Sequence, residues 1–156
     1  MRRRGGNDGG RQSAVEDERI ESYRDLRVWK EAMDLAVQCY AGTKGFPKEE
    51  TFGLVAQIRR AASSVPANIA EGYGRESTGS YAHFLRTAQG SLKELETHLL
   101  LATRVGLMPE AKSDPLVQHS DLVGRMLGGL IRSIERSAPT ADCRLPTAAE
   151  PRGARA

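Results

Sequence analysis

Three histidines, two cysteines and a handful of helical serines are the side chains through which this 156-residue chain could do nucleophilic or metal chemistry. His83, His98 and His119 are too scattered to form a local ligand pair. No Glu-x-x-His motif recurs on two helical segments, as a di-iron bundle requires. Glu94 and His98, four residues apart, are the best candidate pair. The competing reading is a solvent-exposed pair on the face opposite the leucines. Ser63 and Ser64 lie in a small-residue stretch with no histidine near in sequence, and Cys39 stands beside Tyr40 with no local cation to lower its pKa. The segment NIAEGYGR (68–75) holds two glycines but lacks phosphate-cradle spacing and a preceding strand. Catalysis is therefore poorly supported, and no metal or cofactor is expected.

Phosphate contact is the chemistry that remains. Arg59, Arg60, Arg75, Arg86 and Lys93 flank two consecutive helical segments. Arg59 and Arg60 are adjacent, so on a helix they point about 100° apart and cannot share one narrow face. One is expected to pair with an acid such as Glu94 or Glu96, leaving the other for solvent, a subunit or phosphate. Only Tyr73 and Tyr81 lie close to this basic set, so base stacking would be limited and sequence preference weak.

The elements that must position these groups all read as helices. In the first, from near Tyr23–Leu26 to about Ala41, Leu26, Trp29, Met33, Ala36, Val37 and Tyr40 fall at spacings of three and four. Trp29 reads as a core or interface anchor. Gly42 to Pro47 form a turn, and a second helix takes in Glu49 to about Gly72. Its expected buried stripe is Leu54, Ile58, Ala61, Val65 and Ile69, widened by Phe52 and Val55.

The core of that second segment is QIRRAASSVPANIAEGYGR (57–75). Pro66 removes a backbone donor and presses on the carbonyl of Ala62, so a kink is expected. Asn68 and Glu71 are placed to satisfy backbone groups freed by the proline. Gly72 and Gly74 supply the conformations that end the helix.

Ser77 and Thr78 are candidate caps for a third helix, which keeps heptad-like spacing from Tyr81 to about Val105, on the order of 40 Å. Gly90 within it suggests close approach of a neighbour, and Gly106 and Pro109 end it. Leu100 and Leu101 are left off the stripe, as further interface candidates beside Trp29. Ser113-Asp114-Pro115 reads as the start of a fourth helix with Leu116, Val123, Leu127, Leu130 and Ile134 buried. Gly124, Gly128 and Gly129 weaken it in isolation. The expected fold is an all-α, antiparallel up-down-up-down four-helix bundle over residues 23–137.

The remaining sequence is bounded by composition. Residues 1–11 carry four arginines against one aspartate, and residues 12–25 two arginines against five acids. Residues 1–22 thus read as a charged, disordered arm, and 138–156, aperiodic in Pro, Ala, Thr and Arg, as a disordered tail. With Cys39 and Cys143 alone, no disulfide framework is expected and a reduced, cytoplasmic setting is the default. No apolar run follows the N-terminal arginines, so no signal peptide is expected, and no stretch reaches the roughly 20 apolar residues of a membrane span.

The 57–75 stretch resembles the signature of the four-helix-bundle proteins related to the one encoded in intervening sequences of bacterial 23S rRNA genes. YRDLRVWKEAMDLA (23–36), GSLKELETHLLLA (90–102) and GRMLGGLIRSI (124–134) extend the resemblance over nearly the whole core. The accessory variability determinant of diversity-generating retroelements is similar to the same group. The resemblance implies a ring-like homo-oligomer, a homopentamer with a central channel and a basic face. It also implies binding of structured nucleic acid, with RNA or a reverse transcriptase–RNA complex as partner.

Residues 26–136 hold fourteen Lys/Arg against twelve Asp/Glu, a weaker positive balance than a dedicated RNA binder carries. Two readings therefore stand: a non-enzymatic oligomer that binds RNA through backbone phosphates, and a protein–protein scaffold with no nucleic-acid ligand.

Overall fold

A computed structural model describes residues 20–138, which form four helices and, among the described residues, no strand. They are α1 (Arg27–Gly42), α2 (Leu54–Tyr73), α3 (Thr78–Arg104) and α4 (Glu110–Ser137), with short 3₁₀ turns at Tyr23–Asp25 and Lys48–Glu50. Most of the charged arm and of the Pro/Ala-rich tail, including Cys143, lies outside the described residues.

Local chemistry explains each boundary. Ahead of α1, the Ser22 side chain accepts from the Arg24 amide while Asp25 Oδ2 accepts from the Ser22 amide at 2.8 Å, a reciprocal capping box. α2 begins at Leu54, later than its sequence suggests, because Glu50 Oε2 accepts from the Leu54 amide at 2.9 Å and holds 48–50 as a separate turn. Phe52 falls between the two and is 93% exposed, so it does not widen the core stripe. Ser77 caps α3 by accepting from the Ser80 amide, and Gly106, at φ +79°, ends the segment in the left-handed region. α4 starts at Glu110, a turn before Ser113-Asp114-Pro115, because Pro109 already supplies the carbonyl that the amides of Lys112 and Ser113 need. Pro115 is accommodated inside the helix.

The helices pack in a four-membered circuit, α1 on α2, α2 on α3, α3 on α4 and α4 on α1. Ile58, Val65, Ile69, Leu85, Leu92, Leu95, Leu99, Val123 and Leu127 fill the centre. Register is visible in single contacts. Ser64 meets Ser91 and Gly72 meets Tyr81 and Phe84, while Leu92 meets Gly124 and Arg86 meets Glu135.

The first helix turns a different face inward from the one its heavy residues suggest. Val28, Ala32, Leu35, Ala36 and Cys39 are buried, whereas Met33, Val37 and Tyr40 are exposed and Trp29 is half-buried. α1 carries two apolar faces, and the one with small residues goes inside because it lets α2 and α4 come close. α2 runs unbroken through Pro66. The glycine that permits close approach is Gly72, not Gly90. A Cβ at Gly72 would lie 2.9 Å from both Phe84 Cβ and Tyr81 Cδ2, while one at Gly90 would meet nothing within 4 Å.

Candidate functional site

The five basic residues singled out in the sequence do not form one patch. Arg59 is a strut between α2 and α1: its Nε donates to Thr43 Oγ1 at 2.9 Å and its guanidinium lies 4.8 Å from the Tyr40 ring centroid. Thr43 is buried and its hydroxyl donates a hydrogen bond to the Cys39 or Tyr40 carbonyl, so the arginine completes an internal network. Arg60 donates to the Gln57 side chain. Neither arginine pairs with Glu94 or Glu96, because those acids engage His98 and Lys93 on their own helix. Arg75 pairs with Glu71 and covers the Phe84 ring at 4.6 Å. Only Arg86, paired with Glu135, and Lys93, paired with Glu96 at 2.8 Å, stand on the outer α3–α4 side.

There the fold opens a groove of about 760 Å³. Lys93 from α3 and Arg125 and Arg132 from α4 line it, with Gln89 as a neutral donor and Asp121 as its one acid. Arg125 and Arg132 make no ion pair among the described residues. The glycines of α4 shape this groove. A Cβ at Gly128 would lie 3.3 Å from Arg132 Nη1, and one at Gly124 would lie 3.3 Å from Leu92 Cδ2. Their absence of side chain lets the guanidinium settle along the helix and lets α3 close in. Arg125 and Arg132 are seven residues apart and so share a face. That spacing, beside Gly124 and Gly128, is the signal in the sequence for a basic pair that lies outside the α2–α3 set. Guanidinium groups present forked donors that match phosphate oxygens. The neighbouring Arg86–Glu135 pair is exposed and contributes at most about 1 kcal/mol, and Lys93 is itself exposed beside half-buried Glu96, so phosphate can compete for both cations.

The Pro66 motif is structural. Asn68 Nδ2 donates to the Ser64 carbonyl at 2.8 Å and to Ser64 Oγ at 3.0 Å, and Ser64 Oγ meets Ser91 Oγ at 2.8 Å. The amide therefore reaches the Ser64 carbonyl and not that of Ala62, the group that Pro66 leaves without its helical donor. Glu71 plays no such part, being exposed on its pair with Arg75. Gly72 seats α3.

A second groove, of about 750 Å³, runs between α1 and α2 and is apolar. Trp29, Met33, Val37 and Tyr40 form one wall, and Pro66, Ala67 and Ala70 the other. Tyr23 stacks edge-on against Trp29 at 5.3 Å and closes one end, and Lys44 lies at the other. Leu100 and Leu101 are exposed, away from Trp29 on the separate helix α3.

The groups whose types could serve catalysis are held otherwise. Burial pushes the Cys39 thiol up to about 12, so it stays protonated at neutral pH. His98 is half-buried rather than solvent-exposed, 3.5 Å from Glu94. His119 Nε2 meets Glu31 Oε2 at 2.9 Å and fastens α4 to α1, a pairing across 88 residues that local spacing could not reveal. No group of three or more His, Cys, Asp or Glu is placed to hold a metal ion among the described residues, and no helix there is long and apolar enough to cross a membrane.

A search of curated proteins finds no match. Among solved structures, the chain is similar to the crystal structure of a protein of unknown function from the S23 ribosomal protein family of Bacteroides thetaiotaomicron VPI-5482. The identity is 22% and the TM-score 0.61, over 67% of this chain and 98% of that one, which is a likeness of fold. The model of the 23S rRNA-intervening sequence protein family matches residues 24–129, the span that contains the 57–75 and 90–102 stretches, all but the first residue of 23–36, the first six residues of 124–134, and the lining of both grooves except Arg132 and Tyr23. The chain therefore belongs to the 23S rRNA-intervening sequence protein family.

Proposed function

We propose that this chain is a non-enzymatic, up-down-up-down four-helix bundle that assembles into a ring-like homo-oligomer and binds structured RNA through backbone phosphates. The observation that carries the reading is the α3–α4 groove, where Lys93, Arg125 and Arg132 converge around one acid. Arg86 stands beside it in an exposed pair. The up-down course is supported by contacts in which rising numbers on one helix meet falling numbers on the next, as Ser64 with Ser91 precedes Gly72 with Tyr81. Family membership supports RNA as the polyanion, free or within a reverse transcriptase–RNA complex. The resemblance in sequence supports a pentamer, and the two lone cysteines support a cytoplasmic setting. Modest grooves repeated around an assembly bind a polyanion through many weak contacts.

The test is RNA binding by the full chain, measured by anisotropy across a salt series with light scattering of the same samples. Binding that weakens linearly in log salt supports the reading. An oligomer that ignores RNA at low salt sinks it. That second result favours a protein–protein scaffold, for which the uncovered apolar α1–α2 groove is the specific observation.

A further inference from the structure

We propose that the apolar α1–α2 groove receives the exposed ridge of α3 from a second copy of the chain, in a head-to-tail contact. The inference rests on the oligomeric part of the functional reading and adds the surfaces that meet. The α2 wall of the groove is made of Pro66, Ala67 and Ala70, too short to cover the aromatic wall on α1. Val37 is left 63% and Tyr40 45% exposed. Small residues on one side and large ones on the other make a trough for a helix.

The occupant with matching features is on the same chain. Leu101 on α3 and Val105, the residue that caps its C-terminus, are exposed and four positions apart, with Leu100 beside them. Glu94 lies seven residues before Leu101 and therefore on the same line, and it too is exposed. From Glu94 to Val105 the ridge is about 16 Å long, and from Trp29 to Lys44 the trough is about 22 Å. When the leucine end lies against Trp29 and Met33, Glu94 comes to the Lys44 end, where charge is opposite.

A self-facing arrangement is less favourable: an antiparallel α1 pair centred on Val37 sets Lys30 of one copy opposite Lys44 of the other. Groove and ridge use different helices, so one copy engages both at once. Contacts of this kind close into rings or propagate as chains.

The experiment uses two full-length variants at exposed positions, Val37→Arg in the groove and Leu101→Arg on the ridge. Each alone is expected to reduce the light-scattering mass to that of one 17.0 kDa chain with helical content unchanged. Mixed together they are expected to form a species of twice that mass, because Val37→Arg keeps an intact ridge and Leu101→Arg an intact groove. Lys44→Glu and Glu94→Lys singly should weaken assembly, and the double exchange should restore it. A wild-type chain that is monomeric overturns both the oligomeric reading and this contact. Assembly that survives both arginine variants, or a mixture that stays monomeric, overturns the contact alone and leaves the oligomeric reading standing.

Discussion

Replacing Arg125 and Arg132 together by glutamine removes two of the three cations that line the α3–α4 groove while keeping side-chain bulk. Both are exposed and unpaired among the described residues, so stability should change by no more than about 0.5 kcal/mol. Each phosphate neutralised on a duplex contributes about 0.9 to the slope of log K against log salt. With one phosphate per cation, the groove contributes a slope of about 2.7 per subunit and the double variant loses about 1.8 of it. Extrapolated from 1 M to 0.1 M salt, two lost contacts correspond to about 60-fold weaker binding per engaged subunit, or about 25-fold on a single strand, where each contact contributes about 0.7. The assay is anisotropy of a labelled structured RNA at four or five salt concentrations, with circular dichroism on the same preparations. Arg59→Gln is the control, since that side chain is spent on Thr43 and Tyr40, and its slope should match wild type. A folded double variant that keeps both the slope and the affinity of wild type refutes the assignment of the groove.

Two glycines of neighbouring helices should respond with opposite sign. Gly90→Ala is expected to raise stability by up to about 1 kcal/mol, because its Cβ meets nothing and the helix gains propensity. Gly72→Ala should instead lower it by up to about 2 kcal/mol, the same gain being outweighed by overpacking against Tyr81 and Phe84 at 2.9 Å, and urea titration of both checks the pair. Arg59→Ala should lower stability by about 1–2 kcal/mol through the lost bond to buried Thr43, read as a lower Tm at unchanged RNA slope. Cys39 makes stability pH-dependent in the alkaline range: its folded pKa is raised by burial to about 12 from an ordinary 9.0, so the folded state holds the proton longer than the unfolded one. That contribution is complete below pH about 9 and is lost progressively between about 9 and 12, reaching about 4 kcal/mol, and Cys39→Ala should flatten that part of the profile in urea titrations at stepped pH.

Fold class and helix number were legible because four segments carry apolar spacing of three and four, and this period has one structural meaning. The cores of α2, α3 and α4 followed directly: Ile58, Ala61, Val65 and Ile69, then Leu85, Leu92, Leu95 and Leu99, then Val123 and Leu127 are all buried. α1 was legible as a helix but not in its orientation. Its Trp29–Met33–Val37–Tyr40 line is more hydrophobic by volume than the Val28–Ala32–Leu35–Cys39 line that is buried, and periodicity cannot rank two apolar faces. Close packing ranks them, since small side chains bring α2 and α4 within contact distance. Of the candidate site, Arg86 and Lys93 were legible and Arg125 and Arg132 were not. The glycine- and proline-rich motif is on α2, and the groove lies on the opposite side of α3.

By itself, the sequence determined what repeats locally: the helical period, the cap at Ser77 and the stop at Gly106. Each depends on side chains a few positions apart, within reach of a single turn. Only the tertiary structure decided which cations are used up and which are available. Arg59 is committed because Thr43, sixteen residues away, reaches it, and Glu31 claims His119 across 88 residues. Arg125 and Arg132 gain a groove because Gly124 and Gly128 bring α3 alongside. Charge is written along the chain, but its partners are chosen by packing.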